Sequence, residues 1–378
     1  MSKSVVIIGT RGYPSYYGGF ETAVRKIAPY LADSGWDVTV YGRPGTTKDD
    51  DPLLDARVSR VVTSGLESKS LSTLTYGFTS VVHALFHKPD VALVMNVANG
   101  FWLPLLRARG IPVLVNVDGI EWDRAKWSWA AKAVFRAGAR MTAIFADEIV
   151  VDSREIGRRW KSQFKRDGIF IPYGGDVPPP LPIEPGMSHR GYVLVVARFV
   201  PENTIREFLE AAPSIAKEWP IVIVGSSGYG GPIEEQISNL VATSSNITWL
   251  GHVADDHRLL SLWQHAGVYF HGHSVGGTNP ALVQAMACGA PIVARDTVYN
   301  REVLGINASF VAPDASSIAE GILRIFSTQD ASTILADMAL EAVRATYSWA
   351  NICGAYNSSL ETCLKNQTQE ANPSVEIL

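Results

Sequence analysis

The chain contains little cysteine, with three residues among 378, at Cys288, Cys353 and Cys363. Their spacing matches no metal site, and three are too few for a disulfide framework, so we expect a reducing, cytoplasmic compartment. Long apolar runs are absent as well. The N-terminal run Val5–Ile8 is too short for a signal peptide, and no stretch approaches the roughly 18 apolar residues of a membrane span. We therefore expect a chain that stays inside the cell and does not cross a bilayer.

Several ligand-binding motifs are also missing. The glycines after Val5–Ile8 do not follow the G-x-G-x-x-G pattern of dinucleotide sites, and the chain has no Gly-Lys-Ser/Thr of a P-loop. Asp49–Asp51 adjoins Lys48 in a polar stretch, which is typical of a solvated loop and not of a metal site. No nucleic-acid-binding module is recognisable, so we expect no nucleic-acid partner.

The composition is that of a globular protein, with 47% hydrophobic and 19% charged residues, and the length suggests two domains. Short runs rich in Val and Ile alternate with helices, which is typical of α/β domains with parallel sheets. The predicted strands are Val5–Ile8, Val38–Tyr41, Val91–Val94, Val113–Val117, Ile149–Val151 and Ile169–Ile171, and then Tyr192–Val196, Ile221–Val224, Ile247–Leu250, Val268–His271, Ile292–Ala294 and Phe310–Val311.

A proline-rich segment interrupts this alternation. Residues 176–188 contain five prolines, and such a segment can neither join a sheet nor continue a helix. We therefore predict an N-terminal domain over 1–175, a linker over 176–188, a C-terminal domain over 189–350, and a helix with a frayed tail over 351–378. Both domains are predicted to be doubly wound and Rossmann-like, and to face a cleft.

Three loops lie where such domains bind ligands, beyond the carboxyl ends of predicted strands. Gly9–Gly19 follows the first strand, Asp118–Glu121 follows Val113–Val117, and Gly272–Asn279 follows Val268–His271. Because these loops share one kind of sheet edge, we expect them to contribute to one site.

The loop Gly272–Asn279 carries the strongest pattern. Pro280 stands at a first helical position, and Gly289 stands just past the end of a short apolar helix. This is the arrangement of a helix with unpaired N–H groups at its start, and such an end attracts a diphosphate or a sugar hydroxyl. An ordinary α/β crossover has the same pattern, so this segment alone leaves both interpretations open.

Six strings of the sequence occur in order over about residues 4–350: Gly9–Gly12, Tyr17–Thr22, Asn116–Trp122, Tyr173–Asp176, Val200–Asn203 and Asn300–Gly305. Together they resemble the rhamnosyltransferase-like branch of the retaining family 4 glycosyltransferases. The resemblance implies the GT-B fold and transfer of a sugar, rhamnose from TDP-rhamnose, to a hydroxyl of a lipid-linked glycan in polysaccharide biosynthesis. It also implies retention of configuration by front-face attack, assisted by the departing phosphate, with no metal and no other cofactor.

By the same resemblance, Arg198 binds the diphosphate and offsets its charge as it leaves, since a forked cation suits phosphate oxygens. The alternative is a surface salt bridge at the strand end. The wider family has a lysine several residues further on, where this chain has Asn203 and Thr204, so that cation is missing. Backbone N–H groups near five residues would complete the donor site: Gly18, Gly19, Gly277, Thr278 and Asn279.

The wider family also has two glutamates on the C-terminal loop and helix, where this chain has Gly276 and Gln284. The branch itself lacks the first glutamate, whereas Gln284 departs from the branch as well. The carboxylate at that position normally accepts hydrogen bonds from the ribose hydroxyls. A glutamine carbonyl accepts them without charge assistance, so weaker donor binding, an altered nucleotide and loss of activity all stay open.

Three carboxylates are further candidates. Asp118 and Glu121 could orient the acceptor hydroxyl or the reacting face of the sugar, and Glu302 could touch the donor sugar. Asp118 is equally well placed to cap a following helix. His271 and His273 resemble catalytic bases, but histidines beside glycine turns are more often structural.

Positive charge is concentrated in the N-terminal half, where residues 1–185 hold 23 Lys and Arg against 19 Asp and Glu, and the rest of the chain holds 10 against 18. Part of it lies in an aromatic-basic stretch that contains Lys126, Trp127, Trp129, Lys132, Arg136 and Arg140. The last three cations are spaced to share one helical face. Either this face lies on an anionic membrane at the inner side of the cell, or it is a solvated face with buried aromatics.

We therefore predict a metal-independent glycosyltransferase. Two other functions stay open: a non-catalytic sugar-nucleotide-binding partner subunit, favoured by Gln284 and the missing lysine, and a GT-B-fold epimerase, disfavoured by the family match. Hydrolysis of the donor would separate an enzyme from a binder, and product analysis would separate a transferase from an epimerase.

Overall fold

In a computed structural model of the chain, residues 3–16, 18–68, 71–124, 127–228 and 230–371 are described. Tyr17 of the predicted glycine loop, Lys126 of the aromatic-basic stretch and residues 372–378 of the predicted tail lie outside the described residues. Contacts divide the chain into two compact units: unit 1 is Met1–Tyr173 with Trp349–Leu378, and unit 2 is Gly174–Ser348.

Unit 1 is built on a parallel sheet of seven strands. Its strands are β1 Lys3–Ile8, β2 Trp36–Gly42, β3 Val58–Val62, β4 Val91–Met95, β5 Val113–Asn116, β6 Glu148–Val151 and β7 Ile169–Phe170. Its helices are α1 Gly19–Asp33, α2 Ser72–His87, α3 Leu103–Ala108, α4 Trp129–Phe145, α5 Arg154–Phe164 and α13 Trp349–Ala371. The order β3-β2-β1-β4-β5-β6-β7 reverses between β1 and β4, which is the switch point of a doubly wound sheet.

Continuous apolar runs explain the central strands of unit 1. All five residues of β4 are buried, and so are the last four of β1, as expected for parallel strands covered on both faces. Helix α1 adds Val24, Ile27 and Leu31 to the same core, because their spacing places them on one face of the helix.

Strand β3 was not predicted from the sequence. Its residues Ser59 and Arg60 are polar and interrupt the apolar run. The strand pairs only with β2, at the edge of the sheet, so it does not need apolar residues at successive positions.

The C-terminal helix is part of unit 1 and not a separate segment. Helix α13 begins at Trp349 and continues to Ala371, so residues 366–371 are helical although their polarity predicted fraying. Asn357 Oδ1 accepts a hydrogen bond from Trp36 Nε1 at 2.7 Å. This contact joins residues that are far apart in the sequence, which is why the helix could be predicted but its position could not.

Unit 2 is built on a parallel sheet of six strands. Its strands are β8 Val193–Val196, β9 Ile221–Val224, β10 Ile247–Trp249, β11 Val268–His271, β12 Ile292–Arg295 and β13 Ser309–Val311. Its helices are α6 Ile205–Ile215, α7 Pro232–Thr243, α8 Asp256–His265, α9 Pro280–Ala287, α10 Val298–Leu304, α11 Ala315–Ser327 and α12 Gln329–Thr346. The order β10-β9-β8-β11-β12-β13 reverses between β8 and β11.

Residues 176–188, predicted as a linker, lie against α8 within unit 2. Gln264 Oε1 accepts from the Leu181 N–H at 2.7 Å, and Ser261 Oγ donates to the Pro182 carbonyl at 2.6 Å. A segment rich in proline cannot pair its backbone in a sheet, so polar side chains of the helix satisfy it.

Within the described ranges, no helix combines the length and apolar character needed to cross a membrane. The longest, α13 with 23 residues, carries polar side chains along its length, among them Asn351, Asn357 and Glu361.

Candidate functional site

In unit 2, the predicted donor residues lie at the switch point of the sheet. Arg198 follows β8, and the loop Gly272–Asn279 follows β11, the strand that pairs directly with β8. Helix α10, which carries Glu302, follows the next strand, β12. Three adjacent strands therefore bring these segments to one carboxyl edge, where open α/β sheets bind ligands.

Arg198 is exposed at this edge. Its backbone carbonyl accepts hydrogen bonds from Asn203 Nδ2 at 2.8 Å and from the Val200 N–H at 2.9 Å. Among the described residues, its guanidinium has no carboxylate partner, which argues against a strand-end salt bridge. The side chain is thus anchored at its base and open to a ligand at its tip.

Asn203, at the position of the missing lysine, joins two loops. Its amide donates to the Arg198 carbonyl, and its Oδ1 contacts His273 Nδ1. The backbones approach so closely that a Cβ on Gly272 would lie 2.2 Å from the Asn203 carbonyl oxygen. Asn203 therefore holds the Arg198 loop against the Gly272–Asn279 loop but supplies no charge.

Helix α9 begins at Pro280, as the sequence predicted, with Asn279 as its N-cap. The Asn279 side chain accepts from the Ala281 N–H at 2.9 Å, and the Asn279 carbonyl accepts from Leu282 and Val283. The first turn of the helix therefore uses its own N–H groups.

The unused N–H groups lie in the loop before the helix. Within the described part of the chain, the N–H groups of Gly277 and Asn279 have no acceptor. Gly276 has φ +96°, a left-handed conformation that favours glycine. Thr278 is buried, with 4% of its surface exposed. These loop N–H groups are the donors available to an anion or a hydroxyl.

Gln284 is hydrogen-bonded to the backbone of Asp176 at both ends of its amide. Its Oε1 accepts from the Asp176 N–H at 3.1 Å, and its Nε2 donates to the Asp176 carbonyl at 2.7 Å. Gly175 allows the backbone before Asp176 to approach helix α9 closely, because a Cβ on Gly175 would lie 3.0 Å from the Val283 carbonyl oxygen. A ribose hydroxyl at this position would have to use the second lone pair of Oε1.

Glu302 lies half-buried on α10 beside Asn300. The amide of Asn300 is buried and donates to the carbonyls of His273 at 2.9 Å and Arg295 at 2.8 Å. Asn300 therefore ties α10 to the Gly272–Asn279 loop, and Glu302 is carried on the helix that this bond holds.

Two buried polar groups at this edge were not predicted as site residues. Glu202 is 7% exposed, and neither carboxylate oxygen has a hydrogen-bond partner among the described residues. His271 is 3% exposed, and its Nδ1 lies 3.1 Å from the Tyr269 hydroxyl. Its Nε2 has no partner in the described part of the chain. Burial lowers the pKa of His271 to about 3, so its imidazole stays neutral. The sequence signals for Glu202 were its place between Arg198 and Asn203 and its inclusion in the string Val200–Asn203.

In unit 1, the glycine loop follows β1 at the switch point of that sheet. Gly9 has φ +97° and lies against β4, where a Cβ would be 2.2 Å from the Met95 carbonyl oxygen. Gly18 is the N-cap of α1, with Gly19 as its first residue. Glu21, which is buried, accepts the Arg11 N–H at 3.1 Å and so fixes the loop to the helix.

Asp118 is held in the left-handed region, at φ +56°. Its N–H donates to Asn116 Oδ1 at 2.9 Å, and its carboxylate lies 3.9 Å from Arg124. The interpretation of Asp118 as a helix cap is wrong. The following 3-10 turn begins at Glu121, its N-cap is Ile120, and no side chain caps it.

Glu121 is buried and uses both carboxylate oxygens within unit 1. Oε1 lies 2.7 Å from Arg124 Nε without hydrogen-bond alignment, and Oε2 accepts from Trp127 Nε1 at 2.8 Å. This carboxylate therefore holds together the loop after β5.

Tyr173, which follows β7, is buried. Burial raises the pKa of its phenol, and the charges of Asp118 and Asp152 raise it further, with Glu21 contributing less. Across the described ranges, no three His, Cys, Asp or Glu side chains are grouped so that they could hold a metal ion.

Two family models match the chain. Residues 18–173 match the model described as a glycosyl transferase 4-like domain, and residues 190–328 match the model for glycosyl transferases group 1. The first segment contains β2 to β7 of unit 1 but not β1, and the second contains all six strands of unit 2.

Two curated relatives are similar over part of the chain. The O-antigen chain mannosyltransferase B of Escherichia coli is 25% identical over 171 residues, which is 44% of this chain and 44% of the relative. An uncharacterized glycosyltransferase of Methanocaldococcus jannaschii is 24% identical over 166 residues, which is 42% of this chain and 41% of the relative. The match thus spans less than half the length of each relative.

Solved structures are similar over nearly the whole chain. Sucrose-phosphate synthase from Thermosynechococcus elongatus has a TM-score of 0.80 at 19% identity, covering 96% of this chain and 100% of that one. Anabaena HepE in complex with UDP-glucose has a TM-score of 0.73 at 15% identity, covering 96% and 100%. At these identities the likeness shows the fold.

Proposed function

Because the chain belongs to the glycosyltransferases of the GT-B fold, we propose that it moves a sugar from a nucleotide-diphosphate donor to a hydroxyl of a glycan. The observation that carries this proposal is the arrangement at the switch point of unit 2. Arg198 is exposed there without a carboxylate partner among the described residues, next to the unused N–H groups of Gly277 and Asn279.

Arg198 would bind the diphosphate through two parallel N–H groups, and the loop N–H groups would add neutral donors. Leaving-group charge would then be offset by one guanidinium and the loop backbone, since Asn203 supplies no second cation. Glu302 would contact the sugar, and Gln284 would contact the ribose only through the lone pair that Asp176 leaves unused.

For the donor we propose TDP-rhamnose, with retention of configuration. Support for rhamnose comes from the strings that this chain shares with the rhamnosyltransferase-like branch, including Tyr173–Asp176 and Val200–Asn203. Support for a nucleotide sugar comes from HepE, whose structures hold UDP and UDP-glucose. Support for polysaccharide biosynthesis comes from the similarity to an O-antigen mannosyltransferase.

For the acceptor we propose a lipid-linked glycan that binds unit 1 at the inner face of the cell membrane. Asp118 and Glu121 would orient its hydroxyl. Helix α4 would lie on the anionic leaflet, since Trp129 is 84% exposed and Arg136 and Arg140 are exposed on the same helix. Trp127 is excluded from that face, because it donates to Glu121 and packs on Phe135.

The proposal is tested with a donor panel of TDP-rhamnose, GDP-mannose and UDP-glucose, followed by thermal shift and by NMR of the product's anomeric configuration. Arg198→Ala should weaken binding of the preferred nucleoside diphosphate by about 1.5–3 kcal/mol, the range for a charged hydrogen bond. Arg206→Ala, an exposed arginine on α6, is the matched control and should bind normally.

The loss in Arg198→Ala should nearly vanish for the bare nucleoside. An equal loss for nucleoside and nucleoside diphosphate would remove Arg198 from the phosphate site. Donor binding without hydrolysis or transfer to any acceptor would support the non-catalytic subunit, and an epimerised donor would support the epimerase.

A further inference from the structure

Arg43 is a buried arginine in unit 1 that the proposed transfer does not use. It follows β2 directly and is 7% exposed. Its backbone N–H donates to the Arg11 carbonyl at 3.0 Å, and a Cβ on Gly42 would lie 2.9 Å from the Gly12 Cα. The close contact between Gly42 and Gly12 therefore holds Arg43 against the loop that follows β1.

The guanidinium of Arg43 is incompletely satisfied. It lies 3.5 Å from the carboxylate of Glu67, whose side chain is 62% exposed, and 5.0 Å from the centre of the Tyr76 ring. Its Nε is buried and has no hydrogen-bond partner among the described residues. A long contact with a solvated carboxylate contributes little, whereas a buried N–H without an acceptor is costly.

A second arginine lies close enough to affect the first. Burial lowers the pKa of Arg43, and the charge of Arg11 lowers it further, while Glu67 and Glu21 oppose the change. Glu21 already accepts the Arg11 N–H, as described above. The Arg43 N–H donates to the Arg11 carbonyl at 3.0 Å, so the two arginines start from adjoining backbone positions. A pair of arginines suits a ligand that carries more than one negative charge, which favours phosphate over carboxylate.

The two arginines also lie at a place in the sheet where ligands bind. Arg43 and Arg11 follow adjacent strands, β2 and β1, at the carboxyl edge of the sheet where open α/β sheets bind their ligands. We propose that Arg43, with Arg11 beside it, binds a phosphate group of the acceptor. This inference rests on the proposed function, because the proposed function assigns acceptor binding to unit 1.

Pyrophosphate is the probe, titrated calorimetrically into the protein already saturated with TDP so that the nucleotide site proposed in unit 2 is filled. We expect Arg43→Met to weaken pyrophosphate binding about tenfold or more, and Arg43→Lys to weaken it less, because lysine keeps the charge but loses the fork. The matched control is Arg107→Met, a half-exposed arginine on α3 whose carboxylate partner, Asp147, is 4.0 Å away. It should bind pyrophosphate normally.

Equal pyrophosphate affinity in the parent protein and Arg43→Met, or no binding to the parent protein, would overturn the proposal. TDP affinity, measured separately, should be the same in both. Failure of TDP to bind the parent protein would count against the proposed function instead, and the pyrophosphate comparison would still decide the role of Arg43.

Glu67→Gln tests the same site without removing a buried residue. It takes away the competing carboxylate, so pyrophosphate should bind about two- to fivefold more tightly. Unchanged or weaker binding would contradict the proposal, even if Arg43→Met does not fold. Geranyl diphosphate and glucose 6-phosphate, offered separately, then distinguish a carrier-lipid diphosphate from a sugar phosphate as the source of the group.

Discussion

Gln284→Glu exchanges one atom and should lower stability at neutral pH. In the parent protein, Gln284 Nε2 donates to the Asp176 carbonyl at 2.7 Å. A carboxylate at position 284 would place one of its oxygens against the Asp176 carbonyl oxygen and leave that carbonyl without its donor. The site is half-buried, so water compensates in part, and we expect the free energy of unfolding to fall by about 1–2 kcal/mol.

The penalty should depend on pH with a defined sign. Facing a carbonyl oxygen raises the pKa of the new carboxyl group in the folded state above its unfolded value of about 4.3. A carboxyl group whose pKa is raised by folding destabilises the folded protein at pH values above its unfolded pKa. The penalty should therefore be complete near pH 7.5 and should disappear as the pH falls to about 4, where a protonated carboxyl group can donate again.

Urea unfolding of the parent protein, Gln284→Glu and Gln284→Met at about pH 7.5 and about pH 4 measures this directly. Gln284→Met removes both hydrogen bonds without adding charge, so its penalty should not change with pH. Equal stability of Gln284→Glu and the parent at pH 7.5, or a penalty that persists at pH 4, would refute the reasoning.

The same variant tests the ribose assignment. If Gln284 Oε1 accepts a ribose hydroxyl, the charged oxygen should tighten binding of both donor and nucleoside diphosphate by about 1 kcal/mol, or roughly fivefold. Calorimetry on the folded variant that instead shows weaker nucleotide binding would remove Gln284 from the ribose site.

Two further predictions concern helix α4 and the buried His271. Neutralising Lys132, Arg136 and Arg140 together should weaken salt-sensitive co-sedimentation of the protein with anionic vesicles. The control variant Arg158→Gln on α5 should co-sediment like the parent protein. If the parent protein binds neutral vesicles as well as anionic ones, a membrane role for α4 is contradicted. His271, with a pKa of about 3, should show no ring titration by NMR between about pH 8 and about pH 4.5. Because the unfolded imidazole takes up a proton near pH 6.5 and the folded one does not, stability should fall by up to about 1.4 kcal/mol per pH unit below that value. His271→Asn should lack this slope, and a ring that titrates near pH 6.5 would contradict the burial.

Local patterns were sufficient for most of the fold. The apolar run Val5–Ile8 predicted a buried parallel strand, and Pro280 predicted the first residue of α9. Such signals lie within a few neighbouring residues, because backbone preference and side-chain periodicity are local properties. Strand β3 was missed for the same reason, since an edge strand with Ser59 and Arg60 carries no such signal.

The candidate site was predictable only in part. Alternation of strands and helices predicts parallel strands whose carboxyl ends share one edge, so the sequence could assign Arg198 and Gly272–Asn279 to that edge. The order of the strands came only from the structure. It could not tell that Asn203 would join those loops, or that the expected helix N–H groups of α9 would be used by Asn279. These facts depend on how two loops meet, and no spacing within either loop encodes it.

The sequence by itself therefore determined the class of fold, the two parallel sheets and the family, because these depend on local periodicity and on strings of adjacent residues. Only the tertiary structure decided that Gln284 binds the backbone of Asp176, 108 residues away, and that Arg43 is buried beside Arg11 with an Nε that has no partner among the described residues. Partners of this kind are selected by packing between distant segments. The same side chains would be exposed or paired differently if the loops met in another way.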